Sequence, residues 1–118
     1  MPHLTLEYSD NLGTAISPAV LRGLNHALVG TGHFDEADIK TRALAFDCVA
    51  IGTDDAPRAF LAATLSLLSG RSLQVRQEIA QALLAALEAA VPANGNALQT
   101  SVQLVEIERD SYAKSHRA

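Results

Sequence analysis

Tryptophan is absent and the other aromatics make up only 4% of the 118 residues, although hydrophobic residues reach 48%. Any core must therefore come from Ala, Leu, Val and Ile, side chains that each bury little area. A chain this short has a physical reason to cover more surface by self-association. Cysteine is nearly absent: the single Cys48 excludes an intrachain disulfide framework and suits a reducing cytosol. Basic residues are outnumbered, and a net charge of −4 argues against the basic face that a nucleic-acid partner requires. No run approaches the roughly eighteen apolar residues that span a bilayer, and no secretory leader pattern opens the chain. A cytoplasmic protein without a membrane or nucleic-acid partner is expected.

The chain contains two rounds of one pattern. Residues 3–8 alternate, Leu4 and Leu6 on one face against His3, Thr5 and Glu7 on the other, as a half-buried strand does. Ser17-Pro18 then starts a helix, Ser17 as cap and Pro18 where a missing N–H costs nothing. Its apolar stripe is Val20, Leu21, Leu24, Ala27 and Leu28, and Gly30-Thr31-Gly32 ends it. Ile39 to Phe46 is predicted as a second strand. After the turn-rich stretch 52–57, Arg58 to Leu68 reads as a third strand. Ser72 caps a second helix that runs to about Val91, with Ile79, Leu83 and Leu87 inward, and Pro92 and Gly95 stop it. Thr100 to Glu108 is the last predicted strand, and 109–118 is a polar tail.

Strand, helix, strand, twice over with a period of about sixty residues, is a tandem βαβ chain. We expect one domain, with repeat one at about 2–50 and repeat two at about 58–108. Each repeat should be a parallel pair with a right-handed crossover, and the two should join in one four-stranded mixed sheet with both helices on one face. The other face is expected to be apolar and uncovered in a monomer, which predicts an oligomer.

Pro2 stands directly behind the initiator methionine and at the head of a strand. Removal of Met1 would give it a free secondary amine, a base that no side chain supplies, on a rigid element. Arg71, between Gly70 and the helix cap Ser72, reads from the residues alone more simply as an exposed arginine than as an anion binder at a helix N-terminus. Lys40 and Arg42 lie on the polar face of the second strand, where a carboxylate would suit either. The four histidines have no paired spacing for a metal on one helix, so no metal site is expected. Cys48 is expected to be a buried packing thiol, Asp54-Asp55 a solvated turn, and Gly70-Arg71-Ser72 no phosphate loop, since the glycines and lysine of one are missing.

Met1-Pro2-His3, Glu7-Tyr8-Ser9-Asp10-Asn11, Thr31-Gly32-His33-Phe34 and Gly70-Arg71-Ser72-Leu73-Gln74-Val75-Arg76-Gln77 resemble the 5-carboxymethyl-2-hydroxymuconate Δ-isomerase family of the tautomerase superfamily. The second half is also similar to the short 4-oxalocrotonate tautomerases, in its Gly-Arg-Ser turn and in Thr100-Ser101-Val102. The resemblance implies a cofactor-independent homotrimer of tandem βαβ chains with Pro2 as catalytic base and Arg71 as the catalytic cation. It implies Lys40 or Arg42 as substrate binders. The chain departs from the family's pattern at Lys40, where the isomerases carry arginine, and at Gln103, where the short tautomerases do. Lysine keeps the charge and loses the bidentate fork. Counting back from Arg71 puts Leu61 near the place equivalent to Pro2, so one base per chain is expected.

The activity implied is isomerisation of an unsaturated 2-hydroxy carboxylate, such as 5-carboxymethyl-2-hydroxymuconate, to its 2-oxo form. Aromatic catabolism is the family's setting. Two other readings are a tautomerase of a smaller keto acid and a non-catalytic trimeric paralogue serving as a scaffold.

Overall fold

The alternation at the start of the chain does form a strand. In the computed structural model, which describes all 118 residues, β1 (His3–Ser9) buries Leu4 and Leu6 while His3 and Thr5 remain half-buried. Ser17 caps α1 (Pro18–Gly30), its Oγ accepting from the Val20 N–H at 3.3 Å, and Leu24 and Leu28 carry the buried stripe. Gly32, at φ +82°, supplies the left-handed turn after the helix that a side chain would resist. β2 (Lys40–Phe46) returns parallel to β1.

The second round repeats this. β3 (Arg58–Leu68) alternates strictly, with Ala59, Leu61, Ala63, Leu65 and Leu67 buried. Ser72 caps α2 (Leu73–Ala90) through the Val75 N–H at 3.2 Å, and Ile79, Leu83 and Leu87 face the core. β4 (Ala97–Ile107) runs parallel to β3. It begins three residues before the predicted Thr100, because the ladder pairs Ala97 with Arg58 and Ala97 N–H donates to the Pro57 carbonyl at 2.9 Å. Its length is set by its partner, which local propensity does not register.

The strand order is β2-β1-β3-β4, with β1 and β3 antiparallel where the repeats meet. Leu4, Leu6, Leu61 and Leu65 share one sheet face and one core cluster with Leu24, Leu28, Ile79, Leu83 and Leu87, so both helices cover that face. Truncating Leu65, which is fully buried between the two repeats, creates a cavity costing about 2–5 kcal/mol. Urea unfolding of Leu65→Ala at fixed protein concentration should show that loss as a lower midpoint with an unchanged slope.

The uncovered face differs from expectation. It is not apolar: His3, Thr5, Lys40, Arg42, Thr64, Ser66 and Gln103 occupy it by register. Its apolar members include Phe60 and Leu68 of the central β3, and its most exposed ones lie at the edges, where Leu44 of β2 and Val105 of β4 are 57% and 39% exposed. The physical case for association therefore rests on two unpaired edge strands carrying exposed apolar side chains. Cys48 is another correction. It is exposed, because it follows β2 into the loop where no element packs over the chain.

Candidate active site

Antiparallel pairing decides what meets Pro2. His3 lies opposite Ser66, so the start of β1 sits beside the end of β3 and the turn that leads into α2. Pro2 and Arg71, far apart in sequence, line one cavity of about 250 Å³ together with Phe34, Leu67, Leu68 and Arg109. Pro2 is buried, and its carbonyl accepts from the Lys40 N–H at 3.1 Å, which ties the head of β1 to the head of β2.

Arg71 is held in place before any ligand arrives. Its guanidinium donates to the carbonyls of Leu68 and His33, each at 3.3 Å, and stands 5.0 Å from the Phe34 ring centroid. Fixing the fork in this way lowers the entropy cost of binding a carboxylate or an enolate oxygen. Met1 lines the same cavity, with its terminal nitrogen 3.5 Å from Asp38. While Met1 is present the Pro2 nitrogen is an amide; without it a secondary amine would face a larger cavity. Burial lowers the pKa of the terminal amine of Met1 from its ordinary value, with Asp38 opposing and Lys40 and Lys114 assisting.

Lys40 and Arg42 do not join Pro2 in this cavity. They share the open face, as their spacing of two along a strand demands. Lys40 lines a neighbouring cavity with His3, Tyr112, Lys114 and His116, while Arg42 Nη2 donates to His3 Nδ1 at 2.6 Å. Asp38 belongs to both cavities.

That contact requires the His3 ring to accept at Nδ1, and the imidazole pKa is lowered from 6.5 by burial first, then by Arg42, Lys40 and the terminal amine. The unfolded chain binds this proton more readily, so the stabilisation is present above about pH 6.5 and is lost as pH falls through the lowered folded value. Replacing His3 by Gln should therefore flatten the acid side of the stability profile, measured as urea midpoints at a series of pH values.

The structural equivalent of Pro2 in the second repeat is Pro57, which corrects the count that pointed to Leu61. Both prolines immediately precede a strand, and each carbonyl receives the first N–H of the parallel partner, from Lys40 and Ala97 respectively. The spacing from the proline to the residue before the helix cap is the same in both repeats, fourteen positions from Pro2 to Ile16 and from Pro57 to Arg71, so the count of ten back to Leu61 is too short. Pro57 lies inside the chain without an amine, and the residue before the helix cap, Arg71 in repeat two, is Ile16 in repeat one.

Arg109 escaped the sequence reading, which left it in a polar tail. It donates from Nε and Nη2 to the Ser69 carbonyl, at 3.3 and 3.0 Å, and so closes one side of the Pro2 cavity. Asp38 was missed too, as an acid in a loop full of acids. Nothing local marks either residue, since both act across long sequence separations.

The chain matches the family model for 5-carboxymethyl-2-hydroxymuconate isomerase over residues 2–117. No curated protein matches it in sequence. Among solved structures, a 5-carboxymethyl-2-hydroxymuconate isomerase from Deinococcus radiodurans R1 is 32% identical, with 98% of this chain and 90% of that one covered at a TM-score of 0.88. A 5-carboxymethyl-2-hydroxymuconate delta-isomerase is 24% identical over 98% and 89% at 0.76. A fused 4-OT described as a symmetric trimer is 19% identical over 96% and 91% at 0.72, a likeness of fold.

Proposed function

The chain belongs to the 5-carboxymethyl-2-hydroxymuconate isomerase family, an isomerase of tautomerase fold, and from that premise we propose that it converts an unsaturated 2-hydroxy carboxylate to its 2-oxo isomer with Pro2 as proton shuttle. The observation that carries this reading is the meeting of Pro2 and Arg71 in one cavity. No cofactor is needed for the chemistry. Removal of Met1 frees the Pro2 amine, which takes the proton from the 2-hydroxyl. The electron pair moves through the diene as a dienolate, and the ammonium returns the proton to carbon at the far end. Atoms and charge balance without a co-reactant.

The amine must be free base near neutral pH. An ordinary α-amino group titrates around 7.7–8.0 and a secondary amine higher, so the site has to lower it. Burial at the cavity floor and the neighbouring Arg71 guanidinium both act in that direction. Arg71 then takes a substrate carboxylate, or the 2-oxygen as charge builds on it.

We place the assembly as a homotrimer in the cytoplasm, where the free exposed Cys48 is at home. Two open sheet edges with Leu44 and Val105 exposed support association. Lys40 and Arg42 face the open side, outside the Pro2 cavity of their own chain, so as substrate ligands they act from the adjoining cavity or across a subunit boundary. The expected substrate is 5-carboxymethyl-2-hydroxymuconate, and the setting is degradation of aromatic compounds.

The test is the ultraviolet loss of that dienol, followed alongside smaller 2-hydroxy dienoates, with intact mass recording whether Met1 is gone. Turnover by a protein beginning at Pro2 supports the reading, and the order of rates across the panel names the substrate. No turnover of any dienol by protein lacking Met1 leaves the scaffold alternative. Sedimentation velocity should give a species of three chains, and a persistent monomer would contradict the assembly.

A further inference from the structure

We propose that Asp38 is a positioning residue for the terminal amine of Pro2, and that Lys114 from the C-terminal tail competes for the same carboxylate. This inference rests on the functional reading above and extends it to residues outside the Pro2–Arg71 pair. Asp38 ends the short turn Glu36–Asp38 between α1 and β2. One carboxylate oxygen lies 3.5 Å from the terminal nitrogen of Met1, one residue ahead of the Pro2 nitrogen, and the other 3.6 Å from Lys114 Nζ, so a single acid is shared by two cations.

The placement does not depend on Met1. Ile39 N–H donates to the Glu36 carbonyl at 3.3 Å, and Lys40 N–H to that of Pro2 at 3.1 Å. These backbone bonds bracket Asp38 and clamp its turn to the head of β1 whatever residue comes first. Pro2 and Asp38 line the same cavity, so with Met1 gone the carboxylate faces the space in which the proline amine carries its proton. Lys114 is delivered by the tail, whose start is pinned where Arg109 grips the Ser69 carbonyl.

A proton shuttle must release as well as capture. The carboxylate holds the ammonium formed after the first transfer, aims it back into the cavity, and makes the amine more basic. Lys114 draws on the same carboxylate and keeps that hold partial. The other charged groups around the amine are Arg71 before α2, Lys40 on β2, Arg109 at the start of the tail and Asp35 on the turn, with His33 as the further titratable neighbour. The cations oppose the ammonium, which leaves Asp38 and Asp35 as the acids that favour it. Asp38 is the one whose carboxylate reaches the head of the chain, at the Met1 nitrogen, and it lines the same cavity as Pro2.

The experiment follows the amine directly. In protein labelled with [15N]proline, only a terminal proline among the four titrates. Asp38→Asn should move that midpoint, and the acid limb of kcat/KM, to lower pH. Lys114→Met should move both to higher pH, and Asp38→Glu should hold them near wild type. Both positions are exposed enough for the three variants to fold, which circular dichroism checks. An Asp38→Asn midpoint that stays put or rises overturns the inference, as does a Lys114→Met midpoint that stays or falls. A titrating amine unmoved by Asp38→Asn removes this inference alone. No titrating proline at all removes the shuttle reading with it, and the predicted shifts in a protein without turnover would retire the activity while leaving the positioning in place.

Discussion

A chain that keeps residues ahead of Pro2 should isomerise a dienol substrate about 10²- to 10⁴-fold more slowly than one that begins at Pro2, the range that a positioned acid–base group contributes. The comparison is made with a short N-terminal extension and the same protein after its removal. Every side chain is shared by the two, and only the nitrogen of Pro2 changes, from amide to amine. Met1 also lines the cavity that Pro2 and Arg71 line, so an extension adds bulk at its wall as well as removing the base. Pro2→Ala separates these effects: it leaves a primary amine on an unblocked site and should retain more activity than the extended chain. Equal rates for extended and processed protein would exclude the terminal amine as base.

Arg71→Ala should lower kcat/KM by about 10²- to 10³-fold, the cost of losing one preorganised donor at a developing oxyanion. The loss should divide informatively. If the guanidinium holds a carboxylate in substrate and transition state alike, KM rises and kcat stays; if it meets charge that appears only on the dienolate, kcat falls. Arg71→Lys should recover part of the activity, because the charge survives while the fork and its stacking on Phe34 do not. A structural role predicts something else. The two carbonyls that Arg71 satisfies, those of Leu68 and His33, would show in the urea midpoint by about 1 kcal/mol and leave the surviving folded enzyme active. Full activity in Arg71→Ala would sink the proposed role.

Several features were legible in the residues because they obey local rules. The alternation of Leu4 and Leu6, the caps at Ser17 and Ser72, and the stripe of Ile79, Leu83 and Leu87 all lie where periodicity and capping chemistry put them. The misses share a cause as well. β4 starts at Ala97 because β3 extends to Arg58, and a strand's length belongs to the pair. Cys48 was assigned to the interior on the strength of its residue type, whereas exposure depends on which loop goes uncovered. The open sheet face was expected to be apolar, but β3 directs Leu61, Leu65 and Leu67 to the helix side and Thr64 and Ser66 to the other. Pro57 escaped as the counterpart of Pro2 since equivalence follows from hydrogen-bond register, in which each proline carbonyl meets the head of a distant strand.

By itself the sequence determined the elements, their order and the doubled βαβ plan, because helix and strand periods are properties of a few adjacent residues, and its motifs singled out Pro2 and Arg71 by resemblance. Only the tertiary structure decided which groups share a site. The antiparallel junction of β1 and β3 carries Arg71 to Pro2, the β1–β2 ladder holds Asp38 beside them, and the tail returns Arg109 and Lys114 to the same end of the sheet. Those meetings are set by pairing between distant segments, which no window along the chain contains.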